Sequence, residues 1–267
     1  MALKNSLSRL FLAHLQVTLA YRGQMLLWTM QEMLIPLVLM SAWLSIERVE
    51  GNPYGPGDYL LYYLALPIVR NLSDCWTVHS LPAQVREGVL SRELLKPMHP
   101  LWSHLFEHLA MKILQLGTFL VPLSALGWYY FDQLPALHLS LAKICLLGLV
   151  VLLAMALRFA MNTTLAFTGF WIEQVDSLHL VINSAFWAMM AGMVVPLETL
   201  PPAFRAVADL LPYRYTLSFP LEILRGGLPG VEILRGLLIG LLWLALLAWT
   251  GRGLWRRGLR EYTAYGG

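Results

Sequence analysis

Gln84 to His104 reads QVREGVLSRELLKPMHPLWSH and carries Arg86, Glu87, Arg92, Glu93 and Lys96. Bilayer hydrocarbon does not hold such a run, because each charged side chain costs roughly 3 kcal/mol or more at the membrane centre. This island therefore sits in water, and the apolar stretches on either side cross lipid. The composition agrees: the 267 residues are 58% hydrophobic and 13% charged, with mean hydropathy +0.60. Soluble domains run near about 25% charged. Ten Trp and eleven Tyr suit a protein with two membrane–water interfaces.

The net charge of +3 is small, and no basic run with interleaved aromatics points to nucleic acid. Cys75 and Cys145 stand apart inside apolar stretches and read as small buried residues, with neither a disulfide framework nor metal-ligand spacing. Lys4 and Arg9 precede an apolar stretch that lacks a small-residue cleavage site, so the N-terminus reads as mature protein.

Working outward, the pattern predicts an all-α integral membrane protein. Residues 1–22 have helical apolar spacing and suggest an interfacial amphipathic helix, or else the first turns of the following span. Six spans are expected, over 23–46, 59–81, 105–131, 134–161, 180–195 and 231–250. An acidic, turn-rich loop from Glu47 to Asp58 joins the first two outside the membrane, and Asp132 and Gln133 alone separate the third from the fourth in a tight hairpin. Prolines 196, 201, 202, 212, 220 and 229 divide residues 196–230 into short external re-entrant helices, too short to cross. Gly236 and Gly240 in the last span form a small-residue packing site or are there by chance.

Orientation follows from the basic residues. Arg252, Arg256, Arg257 and Arg260 in the tail, Lys4, Arg9 and Arg22 at the start, and the island itself all belong on the cytoplasmic side. Both termini inside requires an even number of spans, which six satisfies. Arg205, Arg214 and Arg225 disagree, since they fall on the outer side.

Four polar residues inside the spans stand out. Glu32 is a helix-packing residue or a substrate contact. Arg70 and Asp74, four apart, share a helix face and can neutralise each other. That pair is either an internal salt bridge or part of a transport path, and Asn183 lies inside the fifth span.

No G-x-x-x-x-G-K-[ST] phosphate loop exists, so the chain does not bind ATP in the usual way, and neither G-x-S-x-G nor H-E-x-x-H occurs. His104, Glu107 and His108 match H-x-x-E-H, which on a helix puts two histidines on one face beside a base. A membrane metalloprotease is the enzyme reading this allows, although the sequence offers no suitably placed third ligand. A channel or ion-coupled carrier built on Arg70 and Asp74 is a further alternative.

The run Val85–Leu90 with Leu94–Pro100, the run Leu210–Tyr213 through Phe219-Pro220, and the closing Trp255–Leu259 with Tyr262 occur in an order that resembles the permease subunits of ABC-2 type exporters. The resemblance covers nearly the whole chain. It implies a transport subunit without catalytic, cofactor-binding or metal-ligating residues, in the cell (inner) membrane of a prokaryote. It also implies a second permease subunit, as homodimer or heterodimer, and a separate ATP-binding subunit that holds ATP and Mg. The cytoplasmic loop over 84–104 would then be the coupling element, with Arg86, Glu87, Gly88, Leu90, Arg92, Glu93, Leu94, Lys96 and Pro97 meeting the ATPase. Leu90 and Leu94 would share its face, while Glu32, Arg70, Asp74 and Asn183 would line the path. The cargo expected is a drug-like or amphipathic small molecule moved outward by alternating access, with a polysaccharide or lipid-linked glycan as the alternative.

Overall fold

A computed structural model describes residues 2–45 and 54–262, apart from the side chains of residues 2–7 and 176. The expected external loop from Glu47 lies largely outside the described residues. Those that are described are all-helical. In chain order the helices are α1 (Ala2–Ala20), α2 (Arg22–Ser45), α3 (Pro56–Ser73), α4 (Thr77–Arg86), α5 (Val89–Leu94), α6 (Pro100–Tyr129) and α7 (Leu141–Ala166). After them come α8 (Val175–His179), a π-helical stretch (Leu180–Phe186), α9 (Trp187–Met190), α10 (Pro202–Leu210), α11 (Ser218–Arg225) and α12 (Gly230–Glu261). Among the described residues, four helices are long and apolar enough to cross a membrane: α2, α6, α7 with the turn that follows it, and α12.

Local chemistry sets the boundaries. Pro100 starts α6 behind His99, whose Nδ1 accepts from the Leu101 amide at 3.3 Å. Ser140 caps α7 by accepting from the Lys143 amide at 3.2 Å. The tight hairpin expected at Asp132-Gln133 is therefore a longer connection. Pro135 cannot continue a helix behind the short turn Phe131–Gln133, and α7 starts at its serine cap rather than at residue 134. Helix α12 runs beyond the expected end at residue 250 to Glu261, because Gly251 and Gly258 let it lie close against Thr164 and Phe170.

The span expected over 59–81 is two helices, α3 and α4, with a break at residues 74–76. A break frees backbone groups that lipid cannot satisfy. Here side chains satisfy them. Lys112 Nζ on α6 donates to the carbonyls of Asn71, at 2.9 Å, and Asp74. The Asp74 carboxylate accepts from the Cys75 amide at 3.0 Å, and His108 Nε2 accepts from the Trp76 amide at 3.2 Å.

The main core gathers Leu60, Tyr62, Tyr63 and Leu66 of α3 with Trp187, Tyr213, Leu217 and Leu221. A second joins α7 and α11 through Leu153, Leu157 and Phe219, with Ile233 and Leu237 of α12 packed against it. Gly236 and Gly240 do serve packing: an added Cβ would meet the Phe219 ring at 2.5 Å and the Leu153 side chain at 2.9 Å. Cys75 is buried as expected; Cys145 is exposed, because it lies on the outer face of α7.

Candidate functional site: coupling surface and polar cleft

The charged island folds as the end of α4, a turn, α5 and the N-terminus of α6. Gly88 makes the turn with φ +70°, a left-handed conformation that a side chain disfavours. Leu90 then points inward, fully buried in a small core with Leu81, Val85, Ala166 and Phe167. Leu90 and Leu94 therefore do not present a shared docking face: Leu90 anchors the helix, while Leu94 is 38% and Leu95 87% exposed. Around these leucines, Arg86, Glu87, Arg92, Lys96 and Pro97 are exposed. Lys96 Nζ pairs with Glu93 at 2.6 Å within the turn. The unit is tied down from behind, with Arg86 Nη1 donating to the Glu173 carbonyl at 2.8 Å and the Ser91 and Tyr262 hydroxyls 3.0 Å apart. His99 lies 5.0 Å from the Trp255 ring, and partial burial holds its imidazole below the ordinary value of 6.5.

Behind this surface, α2, α3, α4 and α6 enclose a cleft of about 560 Å³. Trp28, Trp76 and Met111 give it apolar walls, and Glu32, Arg70, His79 and Glu107 give it charge or hydrogen-bonding capacity. Two of the four expected path residues, Glu32 and Arg70, thus share one cavity. A narrow recess off it is lined by Glu32, Asp74, His108 and Lys112. Asp74 and Asn183 sit deeper, and α7 brings them together: Arg158 Nη2 donates to Asp74 at 2.7 Å and Nη1 to the Asn183 carbonyl at 3.4 Å. Asn183 lies in the π-helical stretch, where the widened turn loosens the normal carbonyl ladder.

Residues 20–266 match the model of the ABC-2 family transporter proteins. The chain belongs to that family. No curated protein and no solved structure shows significant similarity to it. ABC-2 membership makes the chain a membrane protein of a transporter, of a kind that normally pairs with an ATP-binding subunit and is generally not itself an enzyme.

Within this ABC-2 protein the expected Arg70–Asp74 pair is replaced. The partner of Asp74 is Arg158, eighty-four positions away, because α3 ends before Asp74 and the shared helix face is lost. Arg70 makes no ion pair among the described residues; it lies 5.9 Å from the centre of the Trp187 ring, over which Arg158 also stacks at 4.4 Å. Sequence reasoning missed Arg158 and Lys112, although each is an ionisable residue inside an apolar helix. His104 and His108 both face α4: His104 Nδ1 lies 3.1 Å from the Ser80 hydroxyl, and His108 Nε2 takes the Trp76 amide and lies 3.2 Å from the Thr77 hydroxyl. The described residues contain no group of three or more His, Cys, Asp or Glu able to hold a metal.

Proposed function

We propose that this ABC-2 protein is the permease subunit of an ATP-driven exporter, with the surface of α5 as the seat of its ATP-binding subunit. One observation carries the reading. The exposed helix α5 joins α4 through only Glu87 and Gly88, and α4 itself forms a wall of the polar cleft through His79 and Ser80. A push on α5 therefore moves the cleft wall, with the break at residues 74–76 as the point where α4 can pivot against α3.

In this reading the chain crosses the cell (inner) membrane six times, with the α3–α4 pair and residues 175–190 as the two crossings that are broken or short. Both ends lie in the cytoplasm. Two permeases pair, as homodimer or heterodimer, and ATP and Mg are held by the partner subunits. The cargo is an amphipathic small molecule, since two tryptophans and a methionine face the same cleft as Glu32 and Arg70. Asp74, Arg158 and Asn183 fix the deeper end of the path.

The test is co-purification of the tagged permease with the ATP-binding subunit of its transporter, and that subunit's ATP turnover in proteoliposomes. Arg92→Glu with Leu95→Glu should abolish both association and stimulated turnover while leaving membrane insertion intact. Full association and turnover in that variant would defeat the coupling assignment.

A further inference from the structure

On the opposite flank of α7 from the polar cleft, the N-terminal turns of α6, the inner half of α7 and α12 frame an open groove of about 480 Å³. We propose that it binds one phospholipid with an acidic headgroup from the cytoplasmic leaflet.

The groove is graded along its length. Its deep end is formed by Leu105, Met155, Phe159 and Leu244, with no polar side chain among them. Its mouth is formed by His99, Thr163, Arg252 and Trp255. On α12 the lining runs from Leu244 to Trp255, about 16 Å at a rise of about 1.5 Å per residue. That matches one leaflet, half of a hydrocarbon core of about 30 Å. An acyl chain therefore fits the deep end when its headgroup lies at the mouth.

Two features of the mouth select the headgroup. Arg252 is exposed and forms no ion pair among the described residues, no acidic side chain lines the groove, and Arg256 follows one turn nearer the helix end. Thr163 is 5% exposed, and its hydroxyl is buried without a hydrogen-bond partner. It sits in the last turn of α7, beside Thr164, which an added Cβ on Gly251 would meet at 3.2 Å. The Arg252 guanidinium at this level suits a phosphate carrying net negative charge. Trp255 supplies the amphipathic ring that settles at this boundary. The lipid would also brace the coupling surface, since Phe167 and Trp255 belong to the cluster that buries Leu90.

This proposal rests on the exporter reading only for the choice of leaflet. Its test is native mass spectrometry of the purified protein released from nanodiscs of equal phosphatidylglycerol and phosphatidylcholine. The wild type should retain one phosphatidylglycerol in preference to phosphatidylcholine. Arg252→Gln should cut that preference about fivefold, the worth of one basic side chain at an anionic surface, and Ala248→Trp should fill the groove and lose the lipid. Equal retention of the two lipids by the wild type, or unchanged retention in both variants, would overturn it. No ATP, cargo or partner enters the assay, so failure of the exporter reading would leave its result standing.

Discussion

At one end of the bundle Arg214 reaches Glu222 at 2.5 Å and also pairs with Asp209, while Arg225 pairs with Glu198. At the other, Arg86, Arg92 and Lys96 lie exposed, and Lys96 finds only Glu93 three residues before it. Both ends are finished by short helices cut by Pro and Gly, and both are rich in charge. The cap around Arg214 closes its charges on itself: residues 212–223 are buried without interruption, and Ser218 adds a hydrogen bond to Glu222 at 2.7 Å. The α5 unit buries one leucine and leaves Arg86, Arg92 and Lys96 exposed. A buried pair fixes a structure, and an exposed set is available to something else. Arg214 and Arg225, two of the three arginines that disagree with the expected orientation, are both ion-paired within the cap.

That contrast can be broken from the cap side first. Arg214→Ala leaves Glu222 buried without its partner and should cost about 3–5 kcal/mol, seen as a large fall in the thermal midpoint in detergent. Arg92→Ala on the α5 unit should stay within about 0.5 kcal/mol in the same assay. Next in size is the anchor of the α5 unit. Leu90→Ala removes the one fully buried side chain of α5 and should cost about 2–4 kcal/mol, read as faster tryptic cleavage at Arg92 with the cap unaffected. Gly88→Ala should cost about 1–2 kcal/mol through its left-handed backbone, and should weaken association with the ATP-binding subunit without altering any exposed charge.

The smallest effect is a pH dependence from His99. The His99 imidazole titrates below 6.5 in the folded protein. Between that lowered value and 6.5 the unfolded chain binds the extra proton, so stability is lost as pH falls through this window. The loss should be well under about 1 kcal/mol for so exposed a ring. His99→Asn, which keeps a capping acceptor, should narrow the difference between thermal midpoints at pH 7.5 and 5.5.

The all-helical class and the family were legible in the sequence because both rest on apolar runs and the order of short motifs. Partners were less so. Asp74 was assigned to Arg70 by a spacing of four, which holds only while the helix continues; α3 stops at Ser73, and tertiary packing supplies Arg158 instead. Arg158 and Lys112 were hidden by their surroundings, since two charges in a long apolar span, Glu107 with Lys112 and Lys143 with Arg158, barely lower its mean hydropathy. The same rule that singled out Glu32 would have found both. The inward turn of Leu90 depends on Phe167, which lies seventy-seven positions later in the chain, and no local period reports that.

The central claim is that the surface of α5 faces the cytoplasm and is covered by an ATP-binding subunit. The direct test is a single cysteine at Leu95, in a chain with Cys75 and Cys145 replaced by alanine, probed with a membrane-impermeant maleimide. Labelling in inverted vesicles but not in intact cells, and its suppression when the ATP-binding subunit is bound, is the result expected. Labelling of intact cells from outside, or equal labelling with and without that subunit, would contradict the account.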